Sequence, residues 1–225
     1  MPWKDHSEVT RRVIWKDHSN DPHDGLHAFL APSNGAWEGY DDKKTIDRLV
    51  GVKAKDAGTI IHEFACKRIW KRMPLNECDM DSMIFYMVDH WIPHYVVESM
   101  DIKTVFETVR KYVNDALYFD LSPEREVYYS EDAFGTADTI GFNDILRIHD
   151  LKTGVVPASF KQLEKYAALF CLDYEVEPEE FETELRLYQN NDILIERPES
   201  SVIRHYMDLY VSRDRLLYEF KRSFA

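Results

Sequence analysis

The sequence is short of cysteine, of positive charge and of long apolar runs, and each shortage closes off a class of protein. Its three cysteines, Cys66, Cys78 and Cys171, are widely spaced and odd in number. They cannot form a four-thiolate zinc or iron–sulfur site, and they read as core residues of a protein kept in a reducing compartment. Lys and Arg number 28 against 41 Asp and Glu, a formal net charge of −13. That balance argues against indiscriminate coating of nucleic acid, while leaving room for a local basic groove. No apolar run approaches membrane-spanning length, and the first residues lack the apolar stretch of a signal peptide. The expectation is a soluble, cytoplasmic protein. What is present, 44% apolar residues and 13% aromatics in 225, is the composition of a globular chain. With no long polar linker, it reads as one domain over 1–225.

The chain opens on a short duplication, Trp3-Lys-Asp-His-Ser7 and Trp15-Lys-Asp-His-Ser19, and residues 20–45 are rich in turn signals. Residues 1–55 are therefore expected to be an irregular or helical leading segment. Asp56 can cap a helix through Trp70 that places Gly58, His62, Ala65, Cys66 and Ile69 on one side. Helical patterns follow near 81–91 and 101–118, broken around Pro93. His90 and His94 have the spacing of a helical metal pair, but Pro93 lies between them. A strand is expected at Glu126–Ser130, a helix over Ser159–Asp173 and strands around Asn190-Asn191-Asp192. A last helix over about 201–224 should turn Ile203, Tyr206, Met207, Tyr210, Leu217 and Phe220 inward. This order predicts an α/β fold with a central mixed sheet flanked by helices, a core over 56–200 and a C-terminal helix over 201–225.

The most informative stretch is Gly135–Gly154. Centring a hairpin on Asp144 pairs Phe142 with Leu146 and Ile140 with Ile148, two apolar cross-strand pairs on one face. Continued outward, this register sets Asp138 opposite Asp150 and Thr136 opposite Lys152. A slip by one residue would break both apolar pairs. Two facing carboxylates, about 5 Å apart at Cβ, repel unless something positive lies between them, which is how a divalent-cation site is made. The register demands an odd-length or bulged loop, and not the two-residue Asn143-Asp144 turn that the local signals favour.

Gly58-Thr-x-x-His62-Glu, Gly135-x-x-Asp138, Asp150-x-Lys152-Thr-Gly and Gln162-x-x-x-Tyr166, in that order, resemble the motif series of RecB-like nucleases of the PD-(D/E)XK superfamily, of the phage and recombination exonuclease type. Each piece alone is weak, and the four in order carry the likeness. The resemblance implies a restriction-endonuclease-like core and one or two Mg²⁺ or Mn²⁺ ions held by His62, Asp138, Asp150 and the backbone carbonyl of Leu151. Lys152 would act with Asp138 and Asp150 as a catalytic group, orienting the attacking water and stabilising charge on the phosphate. Gln162 and Tyr166 would line the DNA side, and Glu126 stands where many relatives carry an additional acid. The resemblance further implies a metal-dependent exonuclease acting on DNA in recombination, repair or end processing, beside a single-strand annealing protein or recombinase. The chain departs from the iron–sulfur members, which need four cysteines, and shows no helicase motifs.

Other readings compete. The same chemistry serves a structure-selective endonuclease, and the same fold serves an inactive DNA-binding module of a recombination complex. His62 among small residues is commonly a hydrogen-bonded core histidine. Ser159-x-x-Gln162 has the form of a capping box, with Gln162 reaching back to the Ser159 amide.

Overall fold

Alternation with period two, and the apolar pairs it creates, build the centre of the molecule. In a computed structural model, which describes residues 35–154 and 156–224, five strands form one sheet in the order β1-β2-β3-β4-β5. They are β1 (Ser122–Ser130), β2 (Ala133–Asn143), β3 (Ile145–Lys152), β4 (Glu182–Gln189) and β5 (Asp192–Glu196). Only β3 and β4 run parallel; the other neighbours are antiparallel. The sheet is mixed, as expected, because a helix carries the chain from β3 to β4 while hairpins join the others.

The Phe142–Leu146 and Ile140–Ile148 pairs are present. One residue, Asp144, turns the chain with φ 60°, a left-handed conformation that Asp tolerates better than most side chains. At the β4–β5 hairpin Asn190 and Asn191 both have positive φ, the pattern of a tight two-residue turn.

Helices α1 (Asp42–Trp70), α2 (Met80–Asp89), α3 (His94–Ser99) and α4 (Ile102–Tyr118) precede the sheet; α5 (Lys161–Tyr174) and α6 (Ser200–Arg222) follow β3 and β5. Asp101 caps α4 by accepting the Thr104 amide at 3.2 Å. From there Phe106, Val109, Tyr112, Val113 and Ala116 are buried at helical spacing. They join Ala57, Ile61 and Ala65 of α1, Met83 and Met87 of α2, Leu151 of β3 and Tyr188 of β4 in one core. A second core lies on the opposite face: Leu146, Ile148, Leu185 and Leu187 against Leu163, Ala167 and Phe170 of α5 and Ile203 of α6. Each fully buried Val, Leu, Ile, Phe or Met among them contributes about 1.5–3 kcal/mol. Strand β3 is therefore covered on both faces, yet half of its residues, Arg147, His149, Asp150 and Lys152, are polar.

Several expectations change. Asp56 does not start α1. Asp41 does, accepting the Lys44 amide at 2.7 Å, and the intervening residues are mostly helix formers that continue the same helix. The chain divides at Leu49/Val50, and the sheet belongs to the unit Val50–Ala225. Of the turn-rich 20–45 segment, Gly35–Gly39 forms a 3₁₀ turn, while the Trp-Lys-Asp-His-Ser repeat lies outside the described residues. Strand β1 begins at Ser122, four residues before the expected Glu126. Cys66 and Cys171 are buried as expected, but Cys78 is exposed. On α6, Leu217 and Phe220 are exposed instead of inward, because this 23-residue helix outruns the 14-residue α5 on which it packs. Among the described residues no helix is long and apolar enough to cross a membrane.

Candidate active site

Asp150 and Lys152 project from β3 toward α5, on the side of Leu146 and Ile148. Lys152 Nζ donates to Asp150 Oδ1 at 2.9 Å and comes within 2.7 Å of Oδ2 without the alignment of a hydrogen bond. Oδ2 is left buried and unsatisfied, although the residue is only 3% exposed. Burial, and then the charge of Asp138, push the Asp150 carboxyl above its ordinary range; Lys152 opposes them and loses.

Asp138 reaches this place by a break in its strand. Ala133 and Ala137 share the α5-side core with Ile140, yet residues 137 and 140 should lie on opposite faces of a regular strand. The β1–β2 ladder pairs Pro123 with Thr139 and Arg125 with Ala137, skipping Glu124 and Asp138 between them. Glu124 there has φ 47°. This local irregularity re-aims Asp138 toward α1, where its Oδ2 lies 3.4 Å from His62 Nδ1. The β2–β3 ladder ends at Thr139–His149, and Asp138 Oδ2 takes over by accepting the Leu151 amide at 3.0 Å. A strand residue presents N–H and C=O to the same neighbour, so the Leu151 carbonyl faces the same unpaired edge. The charges of Asp138 and Asp150 both bear on the Tyr112 hydroxyl, which burial first of all pushes far up. Neither the Asp138–Asp150 nor the Thr136–Lys152 pairing expected from the sequence forms, because the β2–β3 ladder stops at Thr139–His149.

Two glycines make these approaches possible. A Cβ at Gly58 would stand 2.8 Å from Thr153 Oγ1, and one at Gly135 would stand 2.9 Å from the Tyr166 ring. Gly58 thus lets α1 close on the end of β3, and His62 lies one turn further along. Gln162 does not cap α5: Phe160 is the N-cap, with no side-chain cap bond. Its Oε1 accepts from Lys152 at 3.3 Å, and its Nε2 donates to the Tyr166 hydroxyl at 3.4 Å. Asp150, Lys152, Gln162 and Tyr166 therefore form one continuous polar row.

The remaining candidates separate. Glu126 is exposed on β1, across from Thr136. Sequence reasoning missed Glu124, the acid opposite Asp138, whose charge adds to burial in pushing the Cys66 thiol up to about 12; only its backbone conformation singles it out. His90 ends α2, stacked on Tyr86, and His94 begins α3, so they are not a helical pair. Also missed was a second polar cluster on the α4 side, where Glu184 meets Arg147, Arg186 and Arg197.

Among the described residues no three His, Cys, Asp or Glu side chains stand close enough to make a ready-formed metal cage. The donor set nevertheless fits a hard divalent cation: carboxylate and carbonyl oxygens with one imidazole, and a buried carboxylate oxygen without a partner. No protein-family model, curated protein or solved structure matches the chain.

Proposed function

We propose that the chain is a divalent-metal-dependent deoxyribonuclease built on a restriction-endonuclease-like core, and that it acts as an exonuclease on DNA ends. The observation that carries this reading is Asp150: a carboxylate 3% exposed, with the charge of a second acid bearing on it, one oxygen unsatisfied and a lysine as its sole ion-pair partner among the described residues. A purely structural acid at that depth would be hydrogen-bonded fully. The order of the motifs from Gly58 to Tyr166, and their convergence on one end of β3, support the same reading.

Asp138, Asp150 and the Leu151 carbonyl would hold Mg²⁺ or Mn²⁺, with His62 steadying Asp138 or joining as a ligand. The ion, when bound, supplies positive charge to the phosphate and lowers the pKa of a water. Lys152 gives up its tie to Asp150 when that carboxylate is otherwise neutralised. Gln162 keeps Nζ at the mouth of the site, where it donates to the attacking water and to a phosphate oxygen. The water gives up a proton to solvent as its oxygen forms the new bond to phosphorus, the bond to the leaving oxygen breaks, and the leaving oxygen takes up a proton from solvent. Tyr166, held on Gly135, closes the α5 side of the site.

Digestion of end-labelled linear DNA and covalently closed circular DNA, with Mg²⁺ or Mn²⁺ and with EDTA, tests the reading. Loss of linear DNA alone, abolished by EDTA, is expected. Cutting of both forms assigns an endonuclease, and no cutting by the folded protein rejects the nuclease.

A further inference from the structure

A cavity of about 260 Å³ opens between α5, α6 and the start of β2, and includes Ala133, Lys165, Tyr206, Tyr210 and Arg213 in its lining. It adjoins the catalytic row. Tyr166 follows Lys165 in α5 and packs on Gly135, two residues from Ala133. Burial, and then the neighbouring Tyr166 and Tyr206, push the Tyr210 hydroxyl up. Lys165 Nζ lies 5.8 Å from the centre of the Tyr206 ring. Neither Lys165 nor Arg213 makes an ion pair among the described residues, whereas the acids at the rim are engaged. Asp132 is held by Lys221 at 2.6 Å, and Asp214 accepts from the Ser130 hydroxyl. Two cations without an ion pair among the described residues thus stand beside two half-buried tyrosine rings, in a lining that also holds Asp132 and Asp214.

That combination is the chemistry of single-stranded nucleic acid: cations follow the backbone, and ring faces accept bases regardless of sequence. A duplex offers only base edges in its grooves and leaves the rings nothing to stack on. We propose that this groove binds the single-stranded DNA segment adjoining the scissile phosphate, with Tyr206 and Tyr210 stacking on bases and Lys165 and Arg213 holding the backbone. The proposal rests on the nuclease reading and adds to it the form of the substrate.

Fluorescence anisotropy in EDTA, where nothing is cut, tests it with oligothymidylate, an abasic strand of equal length and a duplex. The wild type should prefer oligothymidylate to the duplex. Tyr210→Leu should weaken oligothymidylate binding roughly tenfold and leave abasic binding unchanged. The exposed double substitution Lys165→Gln/Arg213→Gln should weaken both single strands together and flatten the dependence on salt. Equal affinity of the double variant and wild type, or no preference for bases over abasic sites, overturns the groove even where Tyr210→Leu does not fold. No binding of any oligonucleotide by the wild type assigns the cavity to another occupant. Mn²⁺-dependent hydrolysis, measured separately, distinguishes the two ideas: hydrolysis with unaltered binding by the variants overturns the groove alone, and base-dependent binding without hydrolysis overturns the nuclease alone.

Discussion

Asp150 and Glu184 stand on neighbouring parallel strands, and each is 3% exposed, yet their surroundings are opposite. Glu184 accepts from Arg197 at 2.8 Å and Arg186 at 3.0 Å, with Arg147 at 3.5 Å. Burial raises its pKa, but the guanidinium groups outweigh burial and bring it below the ordinary range. Arg186 continues to Asp115 at 2.9 Å, which also accepts the Tyr188 hydroxyl at 2.7 Å. Both Arg147 and Arg186 lie over the Phe119 ring. Asp150 has one lysine, a second acid nearby and an idle oxygen. The sheet thus buries one carboxylate as a lock and the other short of positive charge. Equal burial with unequal compensation separates structure from site.

The largest expected effect is on catalysis. Lys152→Met or Asp150→Asn should lower DNA hydrolysis roughly a thousandfold, as removal of one group stabilising transition-state charge does elsewhere; single-turnover rates in saturating Mn²⁺ check this. Stability should move the other way. Glu184→Gln should cost about 3 kcal/mol by leaving guanidinium groups uncompensated. Asp150→Asn should instead stabilise the metal-free protein by about 1 kcal/mol, because removing a charge that burial disfavours is a gain. Urea denaturation of both variants in EDTA breaks the comparison if they shift the same way.

Metal should exchange the two behaviours. Mn²⁺ at about a hundredfold its Kd should stabilise the wild type by about 2.7 kcal/mol and leave Asp150→Asn nearly unmoved in thermal unfolding. The smallest effect is on pH dependence without metal. Asp150, raised, contributes stability below its unfolded value that is lost as pH rises through the folded one. Glu184, lowered, contributes stability above its unfolded value that is lost as pH falls. His149 behaves like Glu184 in sign: burial first, and Arg186 next, bring it down to about 3, so its contribution fades as pH falls from its unfolded value. Urea midpoints from about pH 5 to about pH 8 should therefore fall less for Asp150→Asn than for wild type.

Much of the hairpin was legible because strand alternation and cross-strand apolar pairing are local rules that Phe142, Leu146, Ile140 and Ile148 obey. The roles of Gln162 and Ser159 were ambiguous for the same reason: a capping box and a site residue share one spelling, and only the approach of Lys152 separates them. Asp56 misled because an acid before an apolar helical pattern looks alike at a helix start and inside a longer helix. The Glu184 cluster was invisible, since only Glu184 and Arg186 share a strand, while Asp115, Arg147 and Arg197 come from elsewhere in the chain and no spacing relates them to it.

The sequence by itself determined the register of the central hairpin about Asp144, the need for an odd-length or bulged loop there and the common face of Asp150 and Lys152, because all three follow from a period of two along one chain. Only the tertiary structure decided where Asp138 points. The left-handed backbone at Glu124 interrupts alternation across two strands, and the close approach of α1 at Gly58 sets His62 where Asp138 can reach it. Those are matters of contact between distant segments, which no local pattern encodes.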